Sequence, residues 1–414
     1  MLFQIGVEEA RDTLLGQILP LPVKTVPLSQ ALNRIAATDY AATADLPPCP
    51  QSAVDGYAIH QKNLKERPGL ALLEILFPGD VPSMPLEPGK TSGVVTGGPL
   101  PLDTAAVVPL EKVRLEGDYV FCDGEIAPGV NIKPRGEDFC GGQPLIKRGS
   151  PVTPGMTGIL AAFGHSKIAV YRRPRVAIVC LGPEIVPCHL TPEKGQVRDS
   201  NGPLLAALIN LDGGLAVSME YLHGKKPDGL REVLAGLISR ADLVLTVGGA
   251  ASGASDQALA LLRETGARML FWGIRVKPGS HSGGGISGST TIISLSGNPS
   301  ACITGYHLLA TPALRAMQGL NPLPGVFTAT CLSPYDKGGD TRRFLRGYAQ
   351  CDAGGWTVRI LPGQKSSMLN SLGSYNALIE IPSGHPPVRE GDKVTVYPAN
   401  ICSCRPELDS IRQN

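Results

Sequence analysis

No apolar run in this chain is long enough to cross a bilayer, so a helical membrane protein is not expected. Charge of one sign is also missing. Lys and Arg total 38 against 36 Asp and Glu, leaving a formal +2, which argues against nucleic acid or an anionic membrane as the main partner. Ten cysteines are present but no C-x-x-C, and the one C-x-C, Cys402 and Cys404, lacks a second ligand pair for a soft metal. Reduced, mostly buried thiols are expected instead. Internal repeats and low-complexity segments are absent. So are the P-loop ending in Gly-Lys-Ser/Thr and the dinucleotide GxGxxG, which excludes ATP held in the P-loop manner and NAD. The first residues, MLFQIGVEEARDTLLGQIL, carry acids early and read as an amphipathic helix, not a secretory signal; a cytoplasmic protein is expected.

What is present is 414 residues, enough for two to four domains, with 50 glycines and 37 prolines scattered between periodic segments. Residues 1–43 read as two short helices, the second running from Ala31 to Ala36 behind an N-cap at Ser29. A proline cluster at Pro47, Pro48 and Pro50 breaks the chain. Short apolar runs then define a β-rich module over 44–131. Residues 132–172 return to mixed character; Thr153 and Pro154 start a helix there.

From 173 to 320 strands and helices alternate: RVAIVCLG, PLLAALINL, LAVSMEYL, GLREVLAGLISRA, DLVLTVGG, DQALALLRETG, RMLFWGIRV, TTIISLSG and a long helix from about Ser300. That pattern implies a parallel-rich sheet with helices on both faces. Short strands return over 321–414 as a small β-barrel-like domain. The fold class is therefore multidomain α/β, with a central alternating domain, N-terminal α/β and β-rich domains and a C-terminal β-domain.

Three strands of the central domain run into glycine turns: Gly182-Pro183-Glu184, Gly248-Gly249-Ala250-Ala251-Ser252-Gly253 and Gly297-Asn298-Pro299. Ligands of such sheets bind beyond the carboxyl ends of the strands. Glycines there admit a close backbone approach, and N–H groups at the following helix starts favour an anion. A phosphorylated, nucleotide-like ligand is the expectation. Glu184 and Asp256 flank these turns, and Asp55 precedes a glycine in SAVDGYA; Asp138 follows Gly136-Glu137. Carboxylates beside phosphates make sense where they share Mg²⁺, and Lys277 offers a cation. Asp256 equally suits a helix N-cap, and Asp55 or Asp138 a plain turn.

These motifs carry a specific resemblance. Pro47-Pro48 through Ser52-Ala53-Val54-Asp55-Gly56-Tyr57-Ala58 resembles the N-terminal signature of the MoeA/gephyrin family, the molybdopterin molybdenumtransferases. Thr96-Gly97-Gly98-Pro99, Gly136-Glu137-Asp138, Arg173-Pro174-Arg175-Val176, Asp199-Ser200-Asn201, Gly248-Gly249, Lys277-Pro278-Gly279, Gly297-Asn298-Pro299, Phe344-Leu345-Arg346 and Ser366-Ser367 follow in family order. The resemblance implies a homodimer of four-domain subunits, with residues 1–43 and 132–172 together forming a discontinuous dimerisation domain. It implies insertion of molybdate into adenylylated molybdopterin with a divalent metal, Mg²⁺, and release of AMP. Asp55, Thr96 and Asp138 would line one side of a cleft between subunits, with Glu184, Asp256, Lys277 and Ser367 opposite. Asp55, Asp138, Glu184 and Asp256 would be the catalytic carboxylates, and Asp55, Glu184 and Asp256 the metal ligands. Thr96, Gly182, Gly248, Gly249, Ser252, Lys277, Gly297, Asn298, Pro299 and Ser367 would bind substrate. Other cofactor-synthesis proteins or molybdoenzyme clients are implied partners.

The chain departs from the family's pattern beside the glycines. Thr-Gly-Asp-Glu has become Leu181-Gly182-Pro183-Glu184, and Lys-Pro-Gly-Lys-Pro has become Lys277-Pro278-Gly279-Ser280-His281, with Gly273 at an earlier lysine. A close charge is worth on the order of 1–4 kcal/mol at intermediate dielectric, so an incoming oxyanion would be held less tightly unless Lys225 and Lys226 compensate. Two alternatives therefore stand beside the enzyme. One is a catalytically weakened paralogue that binds or carries molybdopterin or finished cofactor, and the other inserts a different oxyanion such as tungstate.

Overall fold

The computed structural model describes residues 1–66, 68–221, 227–249 and 257–399, with 227–230 as backbone alone. Ser252, Asp256, Lys225, Lys226, Cys402 and Cys404 lie outside the described residues.

The central sheet has seven strands in the order Leu2–Ile5, Arg268–Ile274, Gly283–Ser287, Thr290–Leu295, Leu243–Gly248, Arg175–Leu181, Leu215–Tyr221. All neighbours run parallel except Gly283–Ser287, which is antiparallel to both strands beside it. The strand sequences are apolar almost throughout because both faces are covered. On one face Ile178, Leu245 and Ile293 pack with Leu205, Ile209, Leu309 and Leu14 from three helices. On the other Val179, Val244 and Ile292 pack with Leu234, Leu237 and Leu262.

Two features here differ from the sequence reading. The first residues form the edge strand Leu2–Ile5, paired with Phe271, Trp272 and Ile274, and only then the helix Val7–Leu15. This opening segment thus lies on the central sheet, not with residues 132–172, because Val7, Ala10 and Leu14 complete that sheet's core. The expected helix from Ala31 to Ala36 does not form either. A short 3₁₀ turn, Leu28–Gln30, leads to Asn33 at φ +60°, outside the helical region, and Ile35 and Ala36 bridge to Pro151 and Val170.

The strand Gly283–Ser287 was not legible, since glycine is a poor strand former. It exists because its glycines admit rings from the neighbouring strand. A Cβ on Gly283 would stand 2.2 Å from the Trp272 indole, and one on Gly284 2.5 Å from the Phe271 ring. The long helix after the third turn is present as Pro299–Gly305, a π turn Tyr306–Ala310, and Thr311–Met317. The helix Pro154–Ala162 begins as expected, with the Thr153 side chain accepting from Met156 N–H.

The β-rich module is a six-stranded sheet ordered Thr104–Pro109, Gly56–His60, Lys90–Val94, Leu70–Leu76, Tyr119–Cys122, Val113–Glu116. Toward the C-terminus Phe327–Cys331, Gly355–Ile360, Arg343–Asp352, Ala377–Ile381 and Lys393–Pro398 close a barrel around Leu345, Val358, Ile379 and Val396. Of the eight described cysteines only Cys180, Cys302 and Cys331 are buried, fewer than expected. Among the described residues no helix is long and apolar enough to cross a membrane.

Candidate functional site

Two groups of the sequence-selected residues are assembled, and they lie on different parts of the chain. The first is a crown at the carboxyl ends of three adjacent parallel strands. Leu181 stands beside Gly248 and Val247 beside Leu295, so the turns that follow these strands are neighbours. Gly248 has φ +82°, and a Cβ there would meet the Leu181 carbonyl oxygen at 2.3 Å. A Cβ on Gly297 would come within 3.2 Å of the Gly248 Cα. Backbone therefore packs on backbone, and no side chain separates the turns. Gly182 sits beneath the carboxylate of its own neighbour, whose Oε2 would lie 2.9 Å from an added Cβ, so Glu184 folds back over the first turn while staying exposed. Gly249, also at positive φ, continues the second turn. Asn298 is exposed, makes no side-chain cap bond, and precedes Pro299 at the start of the long helix.

The crown rests on a buried carboxylate that sequence reasoning met only within a longer motif. Asp199 accepts from the N–H of Asn201 (2.9 Å) and Gly202 (3.1 Å), from the Tyr221 hydroxyl (3.0 Å) and from the Cys180 thiol (3.3 Å). Burial and the adjacent Asp199 charge push the Cys180 thiol and the Tyr221 phenol well up, so both remain protonated donors. Asn201 in turn donates from Nδ2 to the Gly297 carbonyl at 2.6 Å, tying the start of the helix Asn201–Leu211 to the third turn.

Ser367 belongs to the same edge through its loop. Ser300 N–H donates to Ser366 O at 3.0 Å, and the Ser300 hydroxyl reaches the Lys365 and Met368 carbonyls. Arg346 anchors that loop from inside the barrel. Fully buried, it donates from Nε to Ser371 Oγ at 2.6 Å and from Nη2 to Gly363 O at 2.5 Å. Burial lowers its pKa to about 10, so it stays charged at neutral pH. Its role as an anchor had no local signal, because the partners lie 17 and 25 residues away. Lys277 follows the strand Arg268–Ile274 at the same edge of the sheet. Its N–H donates to Arg342 O and its carbonyl accepts from Phe344 N–H, joining sheet to barrel; the exposed ammonium makes no ion pair among the described residues. At Gly273, φ +81°, the space a side chain would take is filled by the Gln4 amide, 2.3 Å from an added Cβ.

The second group is a platform in the N-terminal half. Asp55 Oδ1 accepts from both Thr96 N–H and Thr96 Oγ1, each at 2.7 Å. Those two donors hold the exposed Asp55 carboxyl below the usual carboxylate range. Ser52 N–H donates to Gly98 O, and Gly97 N–H to Ser52 O, which sets Thr96 beside Asp55. The strand Gln51–Ser52 also pairs with Ile132–Lys133. Asp138 is exposed on the following turn, which is fixed by Gly136 N–H to Pro47 O, Asp138 N–H to Leu46 O, and an Arg135–Asp45 ion pair. No hydrogen bond or ion pair among the described residues joins Asp55, Thr96 or Asp138 to Glu184, Lys277 or Ser367. Nor do three His, Cys, Asp or Glu side chains converge on one metal position among those residues.

Comparison with known proteins covers nearly the whole chain. Residues 5–164 match the family model of the MoeA N-terminal region (domain I and II), 177–316 that of a probable molybdopterin binding domain, and 328–399 that of the MoeA C-terminal region (domain IV). A molybdopterin molybdenumtransferase of Staphylococcus aureus (strain MRSA252) is 29% identical over 411 residues, 98% of each chain. One of Staphylococcus epidermidis (strain ATCC 12228) is 28% identical over the same length, again 98% of each. Two crystal structures of the molybdopterin biosynthesis MoeA protein of Pyrococcus horikoshii are 26% identical. They cover 96% and 95% of this chain and 99% and 100% of their own, with TM-scores of 0.83 and 0.80. The chain belongs to the MoeA/molybdopterin molybdenumtransferase family, whose place is molybdenum cofactor biosynthesis.

Proposed function

We propose that this chain inserts molybdate into adenylylated molybdopterin and releases AMP. The observation that carries this reading is the crown: three glycine turns packed backbone to backbone at one sheet edge, where a phosphate-bearing ligand can approach N–H groups closely. The ligand's phosphates would lie over Gly182, Gly248, Gly249 and Gly297, with Ser252, Asn298, Pro299 and Ser367 at the margin. The Ser300 N–H is already taken by Ser366 O, so anion contacts fall to the turns and not to that amide. Lys277 would meet the incoming oxyanion.

The platform would complement the crown from a second copy of the chain. In a homodimer, Asp55, Thr96 and Asp138 of one subunit would face Glu184 and Asp256 of the other. Asp55 is suited to stay ionised, since its lowered pKa makes it a poor proton acceptor and a good holder of positive charge. Proton acceptance from the hydrolytic water would then fall to Asp138 or Glu184. A magnesium ion, when bound, would neutralise charge on the phosphates, held by Asp55, Glu184 and Asp256. The donor chemistry suits that ion, because all three are carboxylates and no donor among the described residues takes Asp55 Oδ2.

The second reading, a binding or carrier protein with little turnover, is favoured by Gly273. Gln4 occupies the room that a longer side chain would need there, so the positive charge at this edge rests on fewer groups. Incubating the purified chain with adenylylated molybdopterin, Mg²⁺ and molybdate, and measuring AMP, separates the two. The enzyme reading expects molybdate-dependent AMP release. Tight binding with AMP at background would leave the carrier, and stimulation by tungstate alone would change the oxyanion. The site's protein partners, cofactor-synthesis enzymes or molybdoenzyme clients, would meet the same cleft mouth, away from nucleic acid and membrane.

A further inference from the structure

A cavity of about 440 Å³ opens beside Lys277, between the central sheet and the barrel, and none of the crown's glycines lines it. One wall is made by Gln4, Gly6 and residues 274–277, the other by residues 340–342 and Ser383. Ile274 and Val276 are buried in the sheet's core, so the exposed Arg275 and Lys277 leave the chain on the cavity side. Arg275 is held in place there. Its backbone N–H donates to Ile5 O at 2.8 Å and its Nη1 to Gln4 O at 2.9 Å. Gly6 leaves room for the guanidinium, whose Nη2 would lie 3.7 Å from an added Cβ. Gln4 itself stands at φ +48°, a strained conformation for a residue with a side chain, and such strain gathers at ligand sites.

The charges around the cavity are unevenly met. Arg342 is engaged by Glu8 at 2.6 Å and Glu380 at 2.7 Å, so these three groups answer one another. Arg275 and Lys277 form no ion pair among the described residues, and across the cavity they face one exposed, unpaired acid, Asp340. We propose that Arg275 is a further oxyanion-binding residue, which together with Lys277 holds a tetrahedral dianion in this cavity. The ion's identity rests on the reading of the chain as an oxyanion-inserting protein; the charge of the site does not. A guanidinium offers paired N–H donors to two oxygens of such an ion, and the ammonium adds a mobile point charge. Asp340 repels the ion and so keeps it on the sheet wall. The rest of the space takes waters of about 30 Å³ each, so the ion keeps part of its hydration and can leave for the crown. Molybdate, tungstate and sulfate share this charge and shape.

Equilibrium titration of the full-length chain with molybdate, tungstate and sulfate, at low salt and without nucleotide, tests the proposal. Wild type should bind at least one of the three, and the tightest names the ion. Arg275→Ala should weaken that binding by about tenfold, Arg275→Lys by less, and Asp340→Asn should tighten it by about threefold. Thermal melts of the variants report that the fold stands. In the AMP-release assay Arg275→Ala should raise KM for molybdate by about the same tenfold while kcat stays within about twofold. Oxyanion affinity unchanged in Arg275→Ala, weaker binding in Asp340→Asn, or no binding by wild type would overturn the proposal, and molybdate-dependent AMP release would still uphold the crown reading. An Arg275-dependent oxyanion site on a chain that neither binds nor releases AMP would instead overturn the insertion reading and leave this site standing.

Discussion

At the crown the candidate ligand surface is made of main chain: Gly248 and Gly297 pack against each other, and Leu181 O lies where a Cβ of Gly248 would go. At the platform it is made of side chains, with one carboxylate aimed by the two donors of Thr96. The difference explains which substitutions this chain tolerates. A backbone cradle keeps its shape when neighbouring side chains change, so residues such as Pro183 and Ser280 beside it are free to vary. A side-chain platform has no such slack, because the Asp55 carboxylate is aimed by the Thr96 side chain.

The sharpest way to break the crown is to add one side chain to it. Gly248→Val places a branched group at φ +82° and against the Leu181 carbonyl. Strain of this kind costs about 1–3 kcal/mol before any clash is counted, so a lower melting temperature and loss of nucleotide binding by about a hundredfold are expected. Retained binding would show that the turns are not the cradle. The platform should break differently. Asp55→Asn keeps size, exposure and an acceptor for Thr96, so melting should fall only slightly while AMP release falls by about a hundredfold.

A smaller effect sharpens the electrostatics. Thr96→Val removes one of the two donors that depress the Asp55 pKa. Because the folded pKa is lowered, the interaction stabilises the fold above the ordinary carboxylate pKa and is lost as pH falls through the lowered value. Thr96→Val should therefore move the acid limb of the AMP-release profile toward higher pH, by less than about one unit. An unmoved limb would mean that Asp55 does not set it.

Much of this architecture was legible because its signals are local. Runs such as RVAIVCLG and DLVLTVGG announce buried parallel strands, and the glycines that follow announce the turns. The misses share a non-local cause. Leu2–Ile5 becomes a strand only because Phe271 and Trp272 offer it an edge, and Gly283–Ser287 only because rings need its missing side chains. Ala31–Ala36 loses its helix to pairing with Pro151 and Val170. In the site, Glu184 and Lys277 could be picked by type and position. Asn201 and Arg346 could not be given roles, since what matters is a carbonyl 96 residues from one and a hydroxyl 25 residues from the other.

The claim that crown and platform act together across two subunits is tested most directly by mixing two impaired chains. Asp55→Asn disables the platform and Glu184→Gln disables the crown carboxylate, each in otherwise intact protein. Unfolded and refolded together, half the dimers are mixed, and each mixed dimer holds one site with wild-type platform and wild-type crown. AMP release should recover to about a quarter of the wild-type rate. Recovery no greater than the sum of the two variants alone would contradict the account.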